Sequence, residues 1–169
     1  LRRNAIGEAF TYVSNLQESQ TERIFLVNTH NITIDAILNQ KAYKAHHSQI
    51  DIRFEVNDLS GIRISPSDCT VVLGNLLDNA IEATCKLPEQ RMIQLTIQYQ
   101  KGILLIQLKN SFNGIIRKSD NKILTTKKDA KQHGIGLRRI SEVVEKYKGY
   151  LVMENDDHIF LTKIMLYLS

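Results

Sequence analysis

Two asparagines one helical turn apart, Asn75 and Asn79, lie in the middle of a stretch that reads as a helix. Asparagine is a mediocre helix former because its amide competes for backbone partners, so a pair at i and i+4 in mid-helix needs a reason. A carboxamide oxygen is a neutral, hard donor of the kind Mg²⁺ accepts, with water and phosphate oxygens completing the shell. The pair belongs to a polar stripe, Asn75, Asp78, Asn79, Glu82 and Lys86, whose plain alternative is the solvated face of a helix.

Two further stretches carry residue types suited to a phosphate ester. His133-Gly134-Ile135-Gly136-Leu137 follows a long basic segment and leads into a helix predicted from Leu137 to Tyr147. Glycines there let an anion approach the backbone, and the unpaired N–H groups of a first helical turn face it. No strand leads directly into these glycines, which excludes a dinucleotide fingerprint. Asn110-Ser111-Phe112-Asn113-Gly114 ends a predicted strand. Such residues are common at strand ends; the functional reading is that the Asn110 side-chain oxygen accepts from an adenine amino group while Gly114 makes room for the ring.

The elements that must position these residues follow from periodicity. Apolar positions Ala5, Ala9, Tyr12, Val13, Leu16, Ile24 and Val27 form a thin helical stripe over residues 4–27, suited to packing on one partner. A second helix is expected over about 32–48, with Ile34, Ala36, Ile37, Lys41 and Ala45 in register and Asn31 or Thr33 as its cap. Residues 50–56 alternate strictly as a strand, and 57–61 read as a turn. Ser65 then Pro66 open a helix that runs to about 86, ahead of Pro88. Its Cys69, Leu73, Leu76, Leu77, Ala80 and Ile81 should meet a sheet. Strands at 93–99 and 103–108 flank Gln100-Lys101-Gly102 as a hairpin, and 150–153 with 159–168 form another. Gly149 stands just past the last helix, as a C-terminal cap would. Residues 113–132 show no period. The expected class is α+β, a two-layer α/β sandwich with a mixed, mostly antiparallel sheet packed on helices.

Composition fits that class. The chain has 169 residues, 43% hydrophobic and 24% charged, which is ordinary for a globular protein. No apolar run approaches the roughly 18–20 residues that would span a bilayer, and no signal peptide is visible. Cys69 and Cys85 stand too far apart on one predicted helix to bridge, and both read as small apolar fillers in a reducing compartment. The net charge is +4. Much of the surplus falls between Arg117 and Lys131, so a basic loop beside a phosphate site accounts for it as well as nucleic-acid binding does.

Taken together, Val72 to Ala83 and His133 to Leu137 resemble the N box and glycine box of the GHKL ATPase superfamily, whose fold is the Bergerat-type ATP-binding sandwich. Asn110-Ser111-Phe112-Asn113-Gly114, Thr125-Thr126-Lys127-Lys128 and Ile34 to Lys41 more narrowly resemble peptide-sensing histidine kinases of the AgrC type, which signal to LytTR-type response regulators. The resemblance covers roughly residues 30–168. It implies ATP and Mg²⁺ as cofactors. Asn79 would coordinate the metal and Asn75 would assist at metal or phosphates. Asn110 would read adenine where most members carry Asp. Lys127 or Lys128 would reach phosphates from the loop, which would act as an ATP lid. His133 would touch a phosphate, Gly134 and Gly136 would flank the phosphate seat, and Leu137 would follow them.

Two departures carry consequences. Hydrolytic members of the superfamily hold a general-base Glu where this chain has Asn75, so transfer to a protein acceptor is expected over hydrolysis. Most histidine kinases place a basic residue three after the metal Asn; here it is Glu82, so a cation is expected from Lys86 or the loop. None of the five histidines, His30, His46, His47, His133 and His158, stands in a His-Asp or His-Glu motif; His46 and His47 read as a solvated helix end. The phosphoacceptor is expected on a helix preceding residue 1. Residues 1–28 would be the remnant of the dimerisation helix hairpin and linker, and 29–169 the catalytic ATP-binding domain. The resemblance further implies a homodimer in the full protein, a cognate response regulator, no nucleic-acid partner, and a cytoplasmic placement beneath a membrane-anchored sensor. The rival readings are a serine kinase of the anti-sigma type and a non-catalytic phosphotransfer scaffold of the same fold. A basic nucleic-acid-binding module is a more distant third.

Overall fold

A computed structural model describes residues 27–114 and 135–168. The stripe read over 4–27, the domain boundary drawn at 28, and the candidates Lys127, Lys128, His133 and Gly134 therefore lie outside the described residues, apart from Val27 and Asn28.

The first described helix, α1, is Ile32–His47, and Asn31 caps it by accepting from the Ile34 amide. Such a cap is worth about 1 kcal/mol. The buried face of α1 is Ile34, Ile37, Leu38, Ala42 and Ala45. Ala36, expected in that register, is exposed instead. Ahead of α1 the chain is tied back along it. Val27 and Asn39 exchange hydrogen bonds, and the Asp35 carboxylate accepts from both the amide and the hydroxyl of Thr29 at 2.7 Å.

Strand β1, Asp51–Val56, is followed by a turn whose Leu59 is fully buried, a core contribution that a reading as plain turn had missed. Next comes one continuous helical rod in three parts: α2 Pro66–Cys69, a π-helical stretch Thr70–Gly74, and α3 Asn75–Cys85. Ser65 caps it as expected, accepting from the Asp68 amide, with Pro66 at the first helical position. All six residues expected to face the sheet are buried. The π turn had no sequence signal; it inserts an extra residue into the helical repeat just before Asn75.

Strands β2 Met92–Gln100 and β3 Ile103–Ser111 form the first hairpin; Lys101 and Gly102 both take positive φ at its turn, as a tight right-twisting hairpin requires. Helix α4 is described over Ile135–Lys146 and so already takes in Gly136, ahead of the predicted start at Leu137. Lys148, not Gly149, takes the left-handed conformation after α4. Gly149 is glycine for another reason: a Cβ there would run into the Met165 carbonyl. Strands β4 Tyr150–Asn155 and β5 Ile159–Tyr167 close the chain.

The sheet order is β1-β2-β3-β5-β4, with β1 parallel to β2 and the other pairs antiparallel. The alternate residues Ile93, Leu95, Ile97, Leu104, Ile106, Leu108, Ile164 and Leu166 are buried together with residues of α1, the 66–85 rod and α4. This is the expected two-layer sandwich, helices on one face of a mixed sheet. Each such Leu or Ile contributes roughly 1.5–3 kcal/mol by leaving water.

Candidate functional site

The rod 66–85 lies between α1 and α4, and its polar stripe divides according to which neighbour each residue meets. Asp78 turns to α1, where Lys41 and Lys44 bond its two oxygens at 2.7 and 2.8 Å. Lys41 had registered with the apolar positions of α1; its side chain is only 12% exposed, and Asp78 is what makes that burial tolerable. Burial pushes the Asp78 carboxyl up, but the hydrogen bonds from Lys41 and Lys44 outweigh it and hold the group below its ordinary 3.8. Glu82 pairs with Lys86 at 3.0 Å along the helix, so Lys86, one of the expected phosphate-facing cations, is engaged by its own neighbour.

Asn75 and Asn79 turn the other way. Asn79 is exposed, and among the described residues its carboxamide has no hydrogen-bond partner. Asn75 is half-buried and donates from Nδ2 to the Val71 carbonyl at 2.6 Å. Its Oδ1 lies against the first turn of α4: a Cβ built on Gly136 would stand 2.8 Å from it. Two motifs far apart in the chain thus meet face to face. Leu137, next in line, is partly buried against the core, and its carbonyl accepts from the Ser141 hydroxyl.

The opposite end of α4 is fixed to the start of the rod. Lys146 Nζ and the Tyr147 hydroxyl both donate to Asp68 Oδ2, at 2.6 and 2.8 Å, and the Ser65 amide donates to the Tyr147 oxygen. Burial raises the Asp68 carboxyl, yet the bonds from Lys146, Ser65 and Tyr147 together hold it below 3.8. In turn the Asp68 bond raises the Lys146 ammonium above its ordinary value. Cys69 beside it is buried, and burial with the Asp68 charge pushes its thiol up to about 11, an inert filler as expected. Cys85 is exposed, against the expectation of a second buried filler.

Asn110 occupies the last inward position of β3 and is 4% exposed. Its Nδ2 donates to the Ser111 carbonyl at 3.0 Å, and the Thr84 hydroxyl of α3 donates to the same carbonyl. Because a carbonyl only accepts, the amide nitrogen must face it, which leaves Oδ1 available as an acceptor. Thr162 of β5 is buried on the same sheet face, one inward step from the residue opposite Asn110. It was not singled out from sequence, although a threonine in the inward register of β5 was there to be read. Gly114 has φ +70°, and a Cβ on it would stand 2.9 Å from the Asp157 carbonyl. The crowding at Gly114 comes from the β4–β5 turn.

Asn75 and Asn79 lie one turn apart on the rod, Asn75 against Gly136 of α4, while Asn110 meets the rod near Thr84. Among the described residues no group of three His, Cys, Asp or Glu residues is placed to hold a metal ion. Among the same residues no helix is long and apolar enough to cross a membrane. His46 and His47 are exposed at the end of α1, as expected, with His47 Nδ1 3.0 Å from the Tyr43 carbonyl.

Comparison with known proteins bears on this arrangement. The GHKL domain family matches residues 64–167. A probable C4-dicarboxylate sensor kinase of Halalkalibacterium halodurans is 24% identical over 166 residues, 92% of this chain and 31% of that protein. The sensor histidine kinase CitA of Klebsiella pneumoniae is 25% identical over 159 residues, 89% of this chain and 29% of that protein. The chain thus spans under a third of either relative. The catalytic domain of histidine kinase ThkA superposes with a TM-score of 0.64 at 23% identity, covering 82% of this chain and 92% of that domain, and shares the fold.

Proposed function

The chain belongs to the GHKL domain family, and from that premise we propose that it is the ATP- and Mg²⁺-binding catalytic domain of a two-component sensor histidine kinase. The observation that carries this reading is the meeting of Asn75 with Gly136, one turn from Asn79, whose exposed carboxamide has no partner among the described residues. In this reading the Asn79 oxygen would hold the cation near the Gly136 end of α4, and phosphates would meet the backbone N–H groups there.

Phosphoryl transfer asks little covalent chemistry of a protein; positioning and charge neutralisation supply most of the barrier reduction. Asn110 Oδ1 would accept from the adenine amino group and reject a carbonyl in its place. Asn79 Oδ1 would hold the cation. The first-turn N–H groups of α4, with Gly136 at their centre, would bind the phosphates. Mg²⁺, when bound, would neutralise charge building on the transferred group. Lys127, Lys128, His133 and Gly134 are assigned to the phosphates on resemblance alone. No carboxylate stands in the seat of Asn75 to activate water, which favours a protein acceptor over hydrolysis.

The acceptor would be a histidine on an upstream helix, with residues 1–28 the remnant of a dimerisation hairpin and 29–169 the catalytic domain. The full protein would be a homodimer anchored in the membrane, passing phosphate to a response regulator. The motifs at 34–41, 110–114 and 125–128 favour an AgrC-type kinase and a LytTR-type regulator.

Calorimetric titration with ATP, with and without Mg²⁺, tests this reading. Wild type should bind in a magnesium-dependent way, and Asn79→Ala should need much more magnesium for the same binding. Equal binding by the two would refute the metal site, and no binding by wild type would favour a scaffold that has lost ATP.

A further inference from the structure

Asn75 opens α3 at the end of the π turn, where its backbone N–H reaches both the Val71 and Val72 carbonyls. Its side-chain Nδ2 bonds the Val71 carbonyl as well, at 2.6 Å. The carbonyl can only accept, so the amide has one orientation, nitrogen toward Val71 and oxygen toward α4. There it is crowded: a Cβ on Gly136 would lie 2.8 Å from Oδ1, 3.4 Å from Cγ and 3.6 Å from the Asn75 Cβ. Helix α4 is also held at its far end, where Lys146 and Tyr147 bond Asp68 of the same rod. Its middle is held by the buried Ile140, Val143 and Val144. At the Gly136 end, Asn75 limits how closely α4 can approach the rod.

We propose that Asn75 is a positioning residue: its carboxamide, locked to the π turn, is the stop on which Gly136 seats, and it sets where the first turn of α4 meets the phosphates while the cation is left to Asn79. The contact stands on the geometry; its effect on phosphates rests on the nucleotide reading above.

A double-mutant cycle separates a stop from a ligand. Gly136→Ala, Asn75→Ala and the pair are compared by urea unfolding without ligand, and by binding of a fluorescent ATP analogue across a Mg²⁺ titration. Gly136→Ala should unfold at lower urea and bind nucleotide at least tenfold more weakly. Adding Asn75→Ala vacates the space the new methyl needs, so the double variant should recover most of the lost stability and part of the lost affinity. If Gly136→Ala folds too poorly to purify, recovery of soluble chain in the double variant is the same result. Asn75→Ala alone should weaken nucleotide severalfold at an unchanged magnesium midpoint, whereas Asn79→Ala moves that midpoint. Additive unfolding effects would overturn the stop, and a magnesium midpoint shifted by Asn75→Ala as by Asn79→Ala would make it a ligand. A wild-type chain that binds no nucleotide overturns the reading above and the phosphate half of this one; the ligand-free cycle still decides whether the stop exists.

Discussion

At the scale of single residues, what matters is which end of each carboxamide is free. Asn110 spends its nitrogen on the Ser111 carbonyl and keeps its oxygen, which suits a donor such as the adenine amino group. Asn110→Leu removes that acceptor at similar volume. It is expected to weaken ATP binding about tenfold, the worth of one buried hydrogen bond, and to leave GTP binding little changed in a competition assay. Gly114 combines φ +70° with a crowded Cβ position against Asp157. Gly114→Ala should cost about 1–3 kcal/mol in urea unfolding, from backbone strain and collision together. Asn75 and Asn79 stood out in the sequence because asparagine is unusual in mid-helix, whereas Asn110 and Gly114, ordinary residues for a strand end, drew notice only through the family resemblance. The orientations were not legible. They depend on the Val71 and Ser111 carbonyls, and a sequence does not display where a carbonyl points.

At the scale of elements, the site depends on how the 66–85 rod is clamped on both sides. Asp68 takes the charge of Lys146 and the hydroxyl of Tyr147, and its carboxyl is held below 3.8 in the folded chain. A group lowered in this way stabilises the fold fully above 3.8 and loses that contribution as pH falls through its lower folded value. Asp68→Asn should cost about 1.5–3 kcal/mol at pH 7, the worth of hydrogen bonds to a charged group. It should also flatten the fall of stability below pH 4, read from urea midpoints across pH. Most elements followed from periodicity and caps: α1 from Asn31, the rod from Ser65-Pro66, both hairpins from their turns. Three features did not. The π turn leaves no residue signature. Gly136 lies inside α4, ahead of the predicted start at Leu137, where a glycine gave no signal for helix. The burial of Lys41 made sense only once Asp78 was across from it.

At the scale of the whole molecule, folding and binding share one equilibrium. A ligand present at a hundred times its dissociation constant adds about 2.7 kcal/mol to the native state. For a chain of this size that is roughly 5–10 °C in Tm. Magnesium ATP should raise the melting temperature of wild type by that order in a thermal shift measurement, and Asn79→Ala should abolish the rise. The parallel neighbours β1 and β2 add a kinetic side. The rod with both asparagines is strung between them, so their ladder cannot zip until that long intervening loop has been laid across the sheet. Loop-closure entropy makes such a step late and slow. A chain caught before it would hold its hairpins and still lack any place to grip a nucleotide, so recovery of binding during refolding should trail the recovery of β-structure.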